Sequence, residues 1–481
     1  MSPPASAAAG VAMRPLCVDL DGTLVKSDTL VDSLLLLARG QPLEAARAPL
    51  WLRGGKAAFK ARVAARVTLD VEHLPWNREV LKYLAGQRAA GRRLYLVTGA
   101  DASVAQRVAD HLGLFDGVLA SDGATNRTGK HKLAGLRERF ADGFDYIGNA
   151  RPDGAVLAGC GEAMVANPTR SLRAMIRSGR IPVSRRFEDR AGGVRSFLRA
   201  IRLHQWAKNV LIFVPLLLAH VFRITEFLNA TLAFACFSLC ASATYVINDL
   251  LDIESDRRHA KKRLRPFAAG DLSAGTGIAI VVIFLAAGFA GAVFLPRGYM
   301  LWLAAYVVTT LAYSLRLKQV VLVDVLILSG LYTLRLLAGA AAVEVRISHW
   351  FAAFAIFLFL SLAIVKRFSE LQNVRAQGGL LANGRGYLLT DIEQLRSFGT
   401  VCGLASVVIF ALYISGGDVE GLYGHPARMW LIVPLLIWWI FRVWLLASRG
   451  EMNEDPVIFA LTDRMSLLIG LCIAIVAMLA V

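Results

Sequence analysis

Long apolar runs dominate the chain after about residue 208. They recur near 210–222, 227–247, 272–296, 299–315, 320–342, 349–365, 398–415, 428–447 and 464–481. Most of them are close to the ~20 residues that an α-helix needs to cross a bilayer. We therefore predict an all-α membrane domain of about nine transmembrane helices over residues 209–481.

Residues 12–170 show a different pattern, in which short apolar runs alternate with longer helical patterns. This alternation predicts an α/β domain whose parallel sheet is built from crossover units, with a helical insertion at about 28–80. Residues 1–11 lack the basic start and apolar core of a secretion signal, and we expect them to form a disordered lead. Residues 171–208 are rich in arginine, and RSFLRAIRLHQW within them has one apolar stripe. That pattern predicts a basic linker with a helix in the lipid headgroup layer.

Composition and charge agree with a membrane protein. Hydrophobic residues make up 56% of the chain, and the mean hydropathy is +0.52. The net charge of +17 would by itself be compatible with a nucleic-acid partner. Basic residues between apolar runs indicate membrane topology and lipid headgroup contact instead, so we predict no nucleic-acid partner. The six cysteines form no CxxC pair, and we expect neither a disulfide framework nor a zinc site.

Basic residues are distributed unequally between the two ends of the predicted helices. If the first helix starts in the cytosol, the inward loops contain the basic run at 257–265 and Arg316, Lys318, Lys366, Arg367, Arg375, Arg385 and Arg396. The outward turns hold Arg223, Arg297, Arg346 and Arg428. The positive-inside rule then predicts an inner (cytoplasmic) membrane protein whose soluble domain and charged clusters face the cytosol.

A densely charged segment, NDLLDIESDRRHAKKRLRP at 248–266, separates two of the apolar runs. On a helix, Asp249, Asp252 and Asp256 would share one face, where carboxylates repel unless a cation lies between them. Such oxygen ligands suit Mg²⁺, and the basic residues that follow suit a phosphate-rich substrate. Those basic residues are Arg257, Arg258, Lys261, Lys262, Arg263 and Arg265. The alternative is a solvated loop whose basic residues only set the topology.

Polar groups also follow three predicted strands of the α/β domain. The strand at 16–20 delivers Asp19 and Asp21 in DLDGTL, and the strand at 94–97 ends at Thr98 in VTGA. A third strand near 146–147 ends in GNARPD, which contains Asn149 and Asp153. Ligands bind at the carboxyl ends of strands in parallel sheets, so we expect these groups to form one site.

The three strand-end motifs resemble the haloacid dehalogenase (HAD) superfamily of aspartyl-phosphate phosphatases. The resemblance implies that Asp19 is the nucleophile and Asp21 the general acid/base. It implies that Thr98 binds the phosphoryl oxygens and that Lys132 neutralises their charge, with Lys130 as the competing lysine.

The same resemblance implies a Mg²⁺ site formed by Asp19, Asp21, Asn149 and Asp153. The family usually has two acidic residues in its last motif, and here the first of them is Asn149. An amide oxygen can bind Mg²⁺ but carries no charge to balance it. Two interpretations stay open, an active phosphatase and a HAD fold that serves only as a cytosolic scaffold.

Several polar residues lie at the inward ends of the other apolar runs or inside them. They are Lys208 in QWAKN, Tyr313 and Lys318 in YSLRLK, Asp324, Arg335 in YTLR, and Lys366 and Arg367 in KRFSE. Charged side chains inside apolar runs are costly unless they are paired or functional. The structural alternative is an ion pair between Asp324 and Arg335.

NDxxDxxxD, the YSLRLK loop and about nine predicted helices resemble the UbiA superfamily of intramembrane prenyltransferases over residues 195–481. Ordinary members have a second acidic cluster after the sixth helix, whereas this chain has Lys366 and Arg367 there. With QWAKN, the Arg-Pro after the acidic motif, YTLR and KRFSE, it is similar to the polyprenyl-phosphate phosphoribosyltransferase branch. In that branch the donor is phosphoribosyl diphosphate and the acceptor is a polyprenyl phosphate.

The resemblance implies that Mg²⁺ on the three aspartates grips the donor diphosphate while the lipid phosphate attacks ribose C1. The implied substrate-binding residues are Lys208, Asn248, Lys261, Lys262, Arg265, Tyr313, Lys318, Asp324, Arg335, Lys366 and Arg367. The fused HAD domain would then remove the 5-phosphate of the product. Two alternatives remain, a prenyltransferase with an aromatic acceptor and a transporter or flippase for a phosphorylated lipid. The sequence leaves open whether the protein forms a homo-oligomer.

Overall fold

The computed structural model describes residues 13–123, 125, 127–220, 223–376, 386–452 and 455–481. These residues form two compact units. The first holds the described residues up to Ala200 together with Asp249–Ala279, and the second holds those of Ile201–Asn248 and Ile280–Val481. The predicted lead at 1–11 and the inward residue Arg385 lie outside the described residues.

A parallel sheet forms the centre of the first unit, with six strands in the order β3-β2-β1-β4-β5-β6. Its strands are β1 (Leu16–Val18), β2 (Leu94–Asp101), β3 (Gly117–Ser121), β4 (Asp145–Gly148), β5 (Ala163–Ala166) and β6 (Val183–Phe187). All three residues of β1 are fully buried, because helices cover both faces of a parallel sheet. The predicted α/β fold is confirmed, including the three strands that carry the motifs.

Nine helices belong to the α/β part of the chain. They are α1 (Thr29–Gly40), α2 (Pro42–Trp51), α3 (Lys56–Ala64), α4 (Arg78–Ala89), α5 (Ala102–Leu112), α6 (Lys130–Arg139), α7 (Gly154–Gly159), α8 (Arg170–Arg177) and α9 (Val194–Ala200). Helices α1 to α3 lie between β1 and β2, which confirms the predicted helical insertion. The insertion has its own small core, which includes Leu37, Trp51 and Phe59.

Twelve helices follow in the described part of the chain. They are α10 (Val214–Leu218), α11 (Ile224–Leu251), α12 (Ile253–Arg258), α13 (Ala274–Ala292), α14 (Arg297–Leu315), α15 (Val323–Ala342), α16 (His349–Ala376), α17 (Ile392–Ile414), α18 (Gly417–Glu420), α19 (Ile432–Ser448), α20 (Pro456–Thr462) and α21 (Arg464–Ala480). Within the described residues, 7 helical segments are long and apolar enough to cross a membrane, and α20 with α21 makes 8 if this pair, bent by 75°, counts as one span. The first predicted run corresponds only to a shorter apolar stretch, Leu203–Leu218. Each predicted run contains a helix among its described residues, but the first is too short to count as a full span, so the described residues give 7 or 8 spans where about nine were predicted.

Apolar side chains cover much of the outside of these helices. Only 17% of the most apolar window of α13 is buried, and Val282 and Ile283 in it are more than 60% exposed. Such a surface is unfavourable in water, but it suits the hydrocarbon of a bilayer, where every backbone polar group is satisfied within the helix. The exposed apolar faces indicate an integral membrane domain.

The helix predicted across RSFLRAIRLHQW is interrupted. Helix α9 ends at Ala200, and Arg202 adopts a left-handed backbone conformation with φ of 52°. A 3₁₀ segment, Leu203–Phe213, then begins. The apolar stripe of this segment is therefore divided between two short elements.

Candidate functional site

A buried lysine connects the strand ends of the α/β domain. Lys132, in the first turn of α6, donates hydrogen bonds through Nζ to Asp19 Oδ1 at 2.8 Å and to Asp153 Oδ1 at 3.1 Å. It also contacts the Tyr146 hydroxyl at 2.9 Å. Lys130 is exposed. The structure thus brings Lys132, and not the competing Lys130, to the predicted nucleophile.

Asp153 holds this lysine and the turn after β4 in place. Its Oδ1 also accepts from Tyr146 Oη at 2.9 Å, and its Oδ2 accepts from the backbone N–H groups of Asn149 at 3.2 Å and Ala150 at 3.1 Å. A carboxylate has about four acceptor positions, so those of Asp153 are filled. Asp153 thus supports Lys132 in this structure, and its role as a Mg²⁺ ligand stays a prediction. Tyr146 was not among the predicted site residues, because a tyrosine in an apolar strand looks like ordinary core.

The two aspartates of DLDGTL differ in acidity. Burial raises the pKa of Asp19 to about 6, against the opposing effect of Lys132. Burial raises the pKa of Asp21 to about 8, and the nearby Asp28 carboxylate adds to this effect. Burial disfavours the charge on Lys132, but Asp19 and Asp153 outweigh this and raise its pKa. The pKa of Asp21 is therefore raised further than that of Asp19, which makes Asp21 the better proton donor and Asp19 the better nucleophile of the two.

Gly22 and Thr98 shape the rest of this site. Gly22 has φ of 74°, and a Cβ atom there would overlap the side-chain amide of Asn149. Asn149 therefore packs directly against the turn that carries Asp19 and Asp21. Amide and carboxylate oxygens are both ligands that Mg²⁺ accepts. Thr98 is fully buried at the end of the apolar part of β2, and its Oγ1 accepts from Ala100 N at 3.0 Å. Its hydroxyl hydrogen remains available to donate.

The acidic motif does not form one continuous helical face. Helix α11 ends at Leu251, and Asp252 interrupts the helix before α12 begins at Ile253. Asp249 and Asp256 are buried, and Arg265 Nη1 donates to Asp249 Oδ1 at 3.0 Å and to Asp256 Oδ2 at 2.7 Å. Two carboxylate oxygens thus converge on one cationic nitrogen, and carboxylate oxygens are ligands of the kind that Mg²⁺ prefers. Lys261 is exposed and Lys262 partly exposed, while Arg265 is bound to the acids.

The second unit contains a buried group of two lysines around one aspartate. Lys208 and Lys366 each lie 2.8 Å from Asp455 Oδ2, and the Tyr332 hydroxyl donates to Asp455 Oδ1 at 2.9 Å. Lys208 is almost fully buried, whereas the Lys366 side chain keeps 30% of its surface exposed. We call these four residues the lysine–aspartate cluster. Asp455 was not among the predicted site residues. Its signal in the sequence is the Asp-Pro pair before the last apolar run, which begins α20 with Asp455 as the cap.

Arg335 is a third buried cation beside this cluster, and its hydrogen-bond partners are neutral. It donates to Asn209 Oδ1 at 2.9 Å, to the Leu331 carbonyl at 2.5 Å and to the Tyr306 hydroxyl at 3.3 Å. Its guanidinium lies 5.4 Å from the centre of the Tyr332 ring. Three basic side chains, Lys208, Lys366 and Arg335, thus lie in or beside a cluster that contains one carboxylate, Asp455.

Arg367 and Asp324 are paired with each other. Arg367 Nε donates to Asp324, and its Nη groups contact Glu370 and the Tyr313 hydroxyl. Asp324 also accepts from the Tyr387 hydroxyl. The alternative of an Asp324–Arg335 pair is wrong, because both residues have other partners. A separate contact joins Lys318 Nζ to Asn248 Oδ1 at 3.4 Å.

Comparison with known proteins identifies both parts of the chain. Residues 209–468 match the UbiA prenyltransferase family, and residues 16–143 match the haloacid dehalogenase-like hydrolases. The chain belongs to the UbiA prenyltransferase family. It carries a HAD-like domain at its N-terminal end, and the family confirms that the apolar helices are those of an integral membrane protein.

Three relatives show how far the likeness extends. An uncharacterized protein, y4nM, of Sinorhizobium fredii is 37% identical over 96% of this chain and 90% of its own length. The nodulation protein NoeC of Azorhizobium caulinodans is 35% identical over 58% of this chain and 92% of its own length. The decaprenyl-phosphate phosphoribosyltransferase of Mycobacterium tuberculosis is 31% identical over 58% of this chain and 91% of its own length. The likeness to y4nM covers nearly the whole chain, so it includes the HAD-like domain as well as the UbiA domain.

Proposed function

We propose that this UbiA-family protein transfers 5-phosphoribose from phosphoribosyl diphosphate to a polyprenyl phosphate. Its similarity to the decaprenyl-phosphate phosphoribosyltransferase of M. tuberculosis supports the reaction. Both substrates are polyanions, and both domains offer oxygen ligands and cations of the kind that bind phosphate groups.

The surplus of basic side chains at the lysine–aspartate cluster carries this proposal. Lys208 and Lys366 contact one carboxylate, Asp455, and Arg335 lies beside them against the Tyr332 ring. Buried charges in proteins are normally compensated, so this site favours an anionic ligand such as a phosphate group. The partial exposure of Lys366 gives such a ligand a route of approach.

We propose that Asp249, Asp252 and Asp256 hold Mg²⁺ and, through it, the diphosphate of the donor. When bound, the metal would withdraw charge from the bond between ribose C1 and the diphosphate. An oxygen of the lipid phosphate attacks C1, the C1–O bond to diphosphate breaks, and diphosphate leaves with the bonding electron pair. Lys261, Lys262, Arg265, Asn248, Tyr313 and Lys318 are the remaining candidates for contacts with the phosphates.

We further propose that the HAD domain removes the 5-phosphate from the lipid-linked product. Asp19 attacks phosphorus, the bond between phosphorus and the ribose O5 breaks, and Asp21 donates a proton to O5. Water then hydrolyses the aspartyl phosphate. Lys132 neutralises the phosphoryl oxygens and Thr98 binds them, while Asp153 holds Lys132. The oxygen donors for Mg²⁺ are those of Asp19, Asp21 and Asn149. The contact between Lys132 and Asp19 supports an active arrangement over a scaffold role.

Incubation of the full-length protein with labelled phosphoribosyl diphosphate, Mg²⁺ and polyprenyl phosphate tests the transfer. We expect label in the lipid fraction and release of diphosphate, and Asp252→Asn should abolish both. Label transfer from prenyl diphosphate to an aromatic acceptor would favour the prenyltransferase alternative. Movement of the lipid phosphate across vesicles without bond cleavage would favour the transporter.

Analysis of the lipid product tests the phosphatase step. The wild-type protein should yield a phosphoryl-ribose lipid without the 5-phosphate together with free phosphate. Asp19→Asn should yield a lipid that keeps its 5-phosphate. Equal phosphate release by wild type and Asp19→Asn would contradict the proposed role of the HAD domain.

A further inference from the structure

The acidic motif of the UbiA domain is held by residues of the HAD domain. Asp249–Ala279 belongs to the same compact unit as the HAD domain, and the contacts concentrate on α12 and the residue before it. The ion pairs and hydrogen bonds are those of Arg39 with Asp252 and Ser255, of Asp32 with Arg257, and of Asp70 with Arg258. The contacts thus include one predicted Mg²⁺ ligand, Asp252, and lie on both sides of another, Asp256.

The Asp32–Arg257 pair is the buried member of this set. Arg257 Nη1 lies 2.8 Å from Asp32 Oδ2, and the two side chains are 4% and 1% exposed. Asp32 also accepts from Ser27 Oγ at 2.7 Å, and Arg257 Nε donates to the Ala268 carbonyl at 3.3 Å. A buried charge without its partner is strongly unfavourable. This pair therefore fixes α12 to α1 more firmly than the partly exposed pairs do.

Helix α12 depends on such an external contact for its position. It has 6 residues, which is far below the length at which a helix is stable alone in water. Arg257 directly follows Asp256, whose carboxylate converges with that of Asp249 on Arg265. Any shift of Arg257 therefore moves Asp256 relative to Asp249 and changes the distance between the two carboxylates.

We propose that the HAD domain positions the acidic motif of the UbiA domain through the Asp32–Arg257 ion pair, so that Mg²⁺ binding at the motif depends on Asp32. Asp32 is then a positioning residue that touches neither substrate nor metal. Arg39 adds a second, more exposed contact at Asp252. The HAD domain thereby acts as a structural part of the transferase in addition to its own chemistry. This inference rests on the proposed role of the acidic motif in Mg²⁺ binding.

Two variants break the pair from opposite sides in the full-length protein. Asp32→Asn removes the charge from the HAD side, and Arg257→Gln removes it from the α12 side while the HAD sequence stays intact. Glu44→Gln is the matched control, because Glu44 lies in the same helical insertion and forms ion pairs with Arg47 and Arg66 inside the HAD domain.

Trypsin cleavage within 258–265 reports the position of the segment without any substrate. Lys261 and Arg263 are exposed there, so cleavage should speed up about tenfold in Asp32→Asn and Arg257→Gln when the segment loses its tie. The same variants should raise the Mg²⁺ concentration for half-maximal transfer about tenfold or more, as is typical for residues that orient metal ligands. In Asp32→Glu the Mg²⁺ concentration for half-maximal transfer should lie closer to the wild-type value than in Asp32→Asn. Glu44→Gln should match wild type in both assays.

The two measurements separate this inference from the proposed function. Normal cleavage and normal Mg²⁺ dependence in both variants would overturn the inference while transfer by wild type stands. Faster cleavage of the two variants, together with no transfer by the wild type, would support the role of the Asp32–Arg257 pair and contradict the proposed reaction. Equal acceleration by Glu44→Gln would also overturn the inference, because it would show a general loosening of the domain.

Discussion

One buried charged residue lies at the centre of the HAD site and another at the centre of the lysine–aspartate cluster, and the two have opposite signs. In the HAD domain one lysine, Lys132, lies between Asp19 and Asp153. In the UbiA domain one aspartate, Asp455, lies between Lys208 and Lys366. The central residue in each case holds two like charges together that would otherwise repel. Substitution of a residue in either group can therefore change the rate of the reaction and, separately, the free energy of unfolding.

Tyr146→Phe tests the support of Lys132. The variant loses the hydroxyl that contacts Lys132 and donates to Asp153, so the lysine loses one of the contacts that orient it toward Asp19. We expect kcat for phosphate release to fall about tenfold, in line with the loss of a hydrogen bond to a charged group. Tyr95→Phe is the control, since Tyr95 lies on β2 with its ring packed on Phe140. An unchanged kcat in Tyr146→Phe would show that Asp153 alone orients Lys132.

Asp455→Asn tests the compensation of charge in the lysine–aspartate cluster. The substitution leaves Lys208 and Lys366 without their shared carboxylate, which should lower the free energy of unfolding by about 3–5 kcal/mol. Thermal unfolding in detergent measures the loss. Lys208→Met in the Asp455→Asn background should recover part of it, because one uncompensated charge is removed. No recovery would mean that the loss does not come from the uncompensated charge of the lysines, since asparagine can still cap α20.

At the scale of helices, close approach depends on small residues at particular positions. A Cβ at Gly339 in α15 would overlap the backbone of Ile212, so the 3₁₀ segment packs directly on the surface of that helix. Gly330 lies in the same helix and has no atom within 4 Å of the position that a Cβ would take. The two glycines look alike in sequence, and only the packing distinguishes them.

Gly339→Ala and Gly330→Ala form a matched pair for this contact. The first should lower the free energy of unfolding by about 1–3 kcal/mol, because the added methyl group must push two backbones apart. The second should be neutral or stabilising by up to about 1 kcal/mol, as glycine is a poor helix former. Thermal unfolding of both variants in detergent checks the difference. Equal effects would mean that α15 and the 3₁₀ segment are not in close contact in the membrane.

For the whole molecule, the distribution of basic residues predicts the orientation in the membrane. Arg316 precedes α15 on the predicted cytosolic side, and Arg346 follows the same helix on the other side. The positive-inside rule places the more basic loops in the cytosol. We propose that the acidic motif and the HAD domain face the cytosol, where phosphoribosyl diphosphate would be available.

Cysteine labelling in intact cells tests this orientation. In a background with the six native cysteines replaced, Arg346→Cys should react with a membrane-impermeant maleimide before lysis. Arg316→Cys should react only after lysis. The reverse pattern would place the charged loops outside and contradict the proposed use of a cytosolic donor.

The sequence by itself determined the fold class of both parts of the chain. Apolar runs of membrane length and short buried strands leave a strong local pattern, so the helices and the parallel sheet followed from it. Asp19 and Asp21 were identifiable because DLDGTL directly follows a strand. The interruption of the helix at Asp252 could not be predicted, because the packing that breaks a helix at one residue leaves no clear signal in the charge pattern.

Only the tertiary structure decided which charges are partners. Asp324 pairs with Arg367 and not with Arg335, and Lys132 rather than Lys130 reaches Asp19. Asp32 and Arg257 are more than 200 positions apart in the chain, yet they form a buried pair. Periodicity in sequence reports the face of an element on which a residue lies. The choice of partner depends on how elements distant in the chain pack together, and this information is absent from any local pattern.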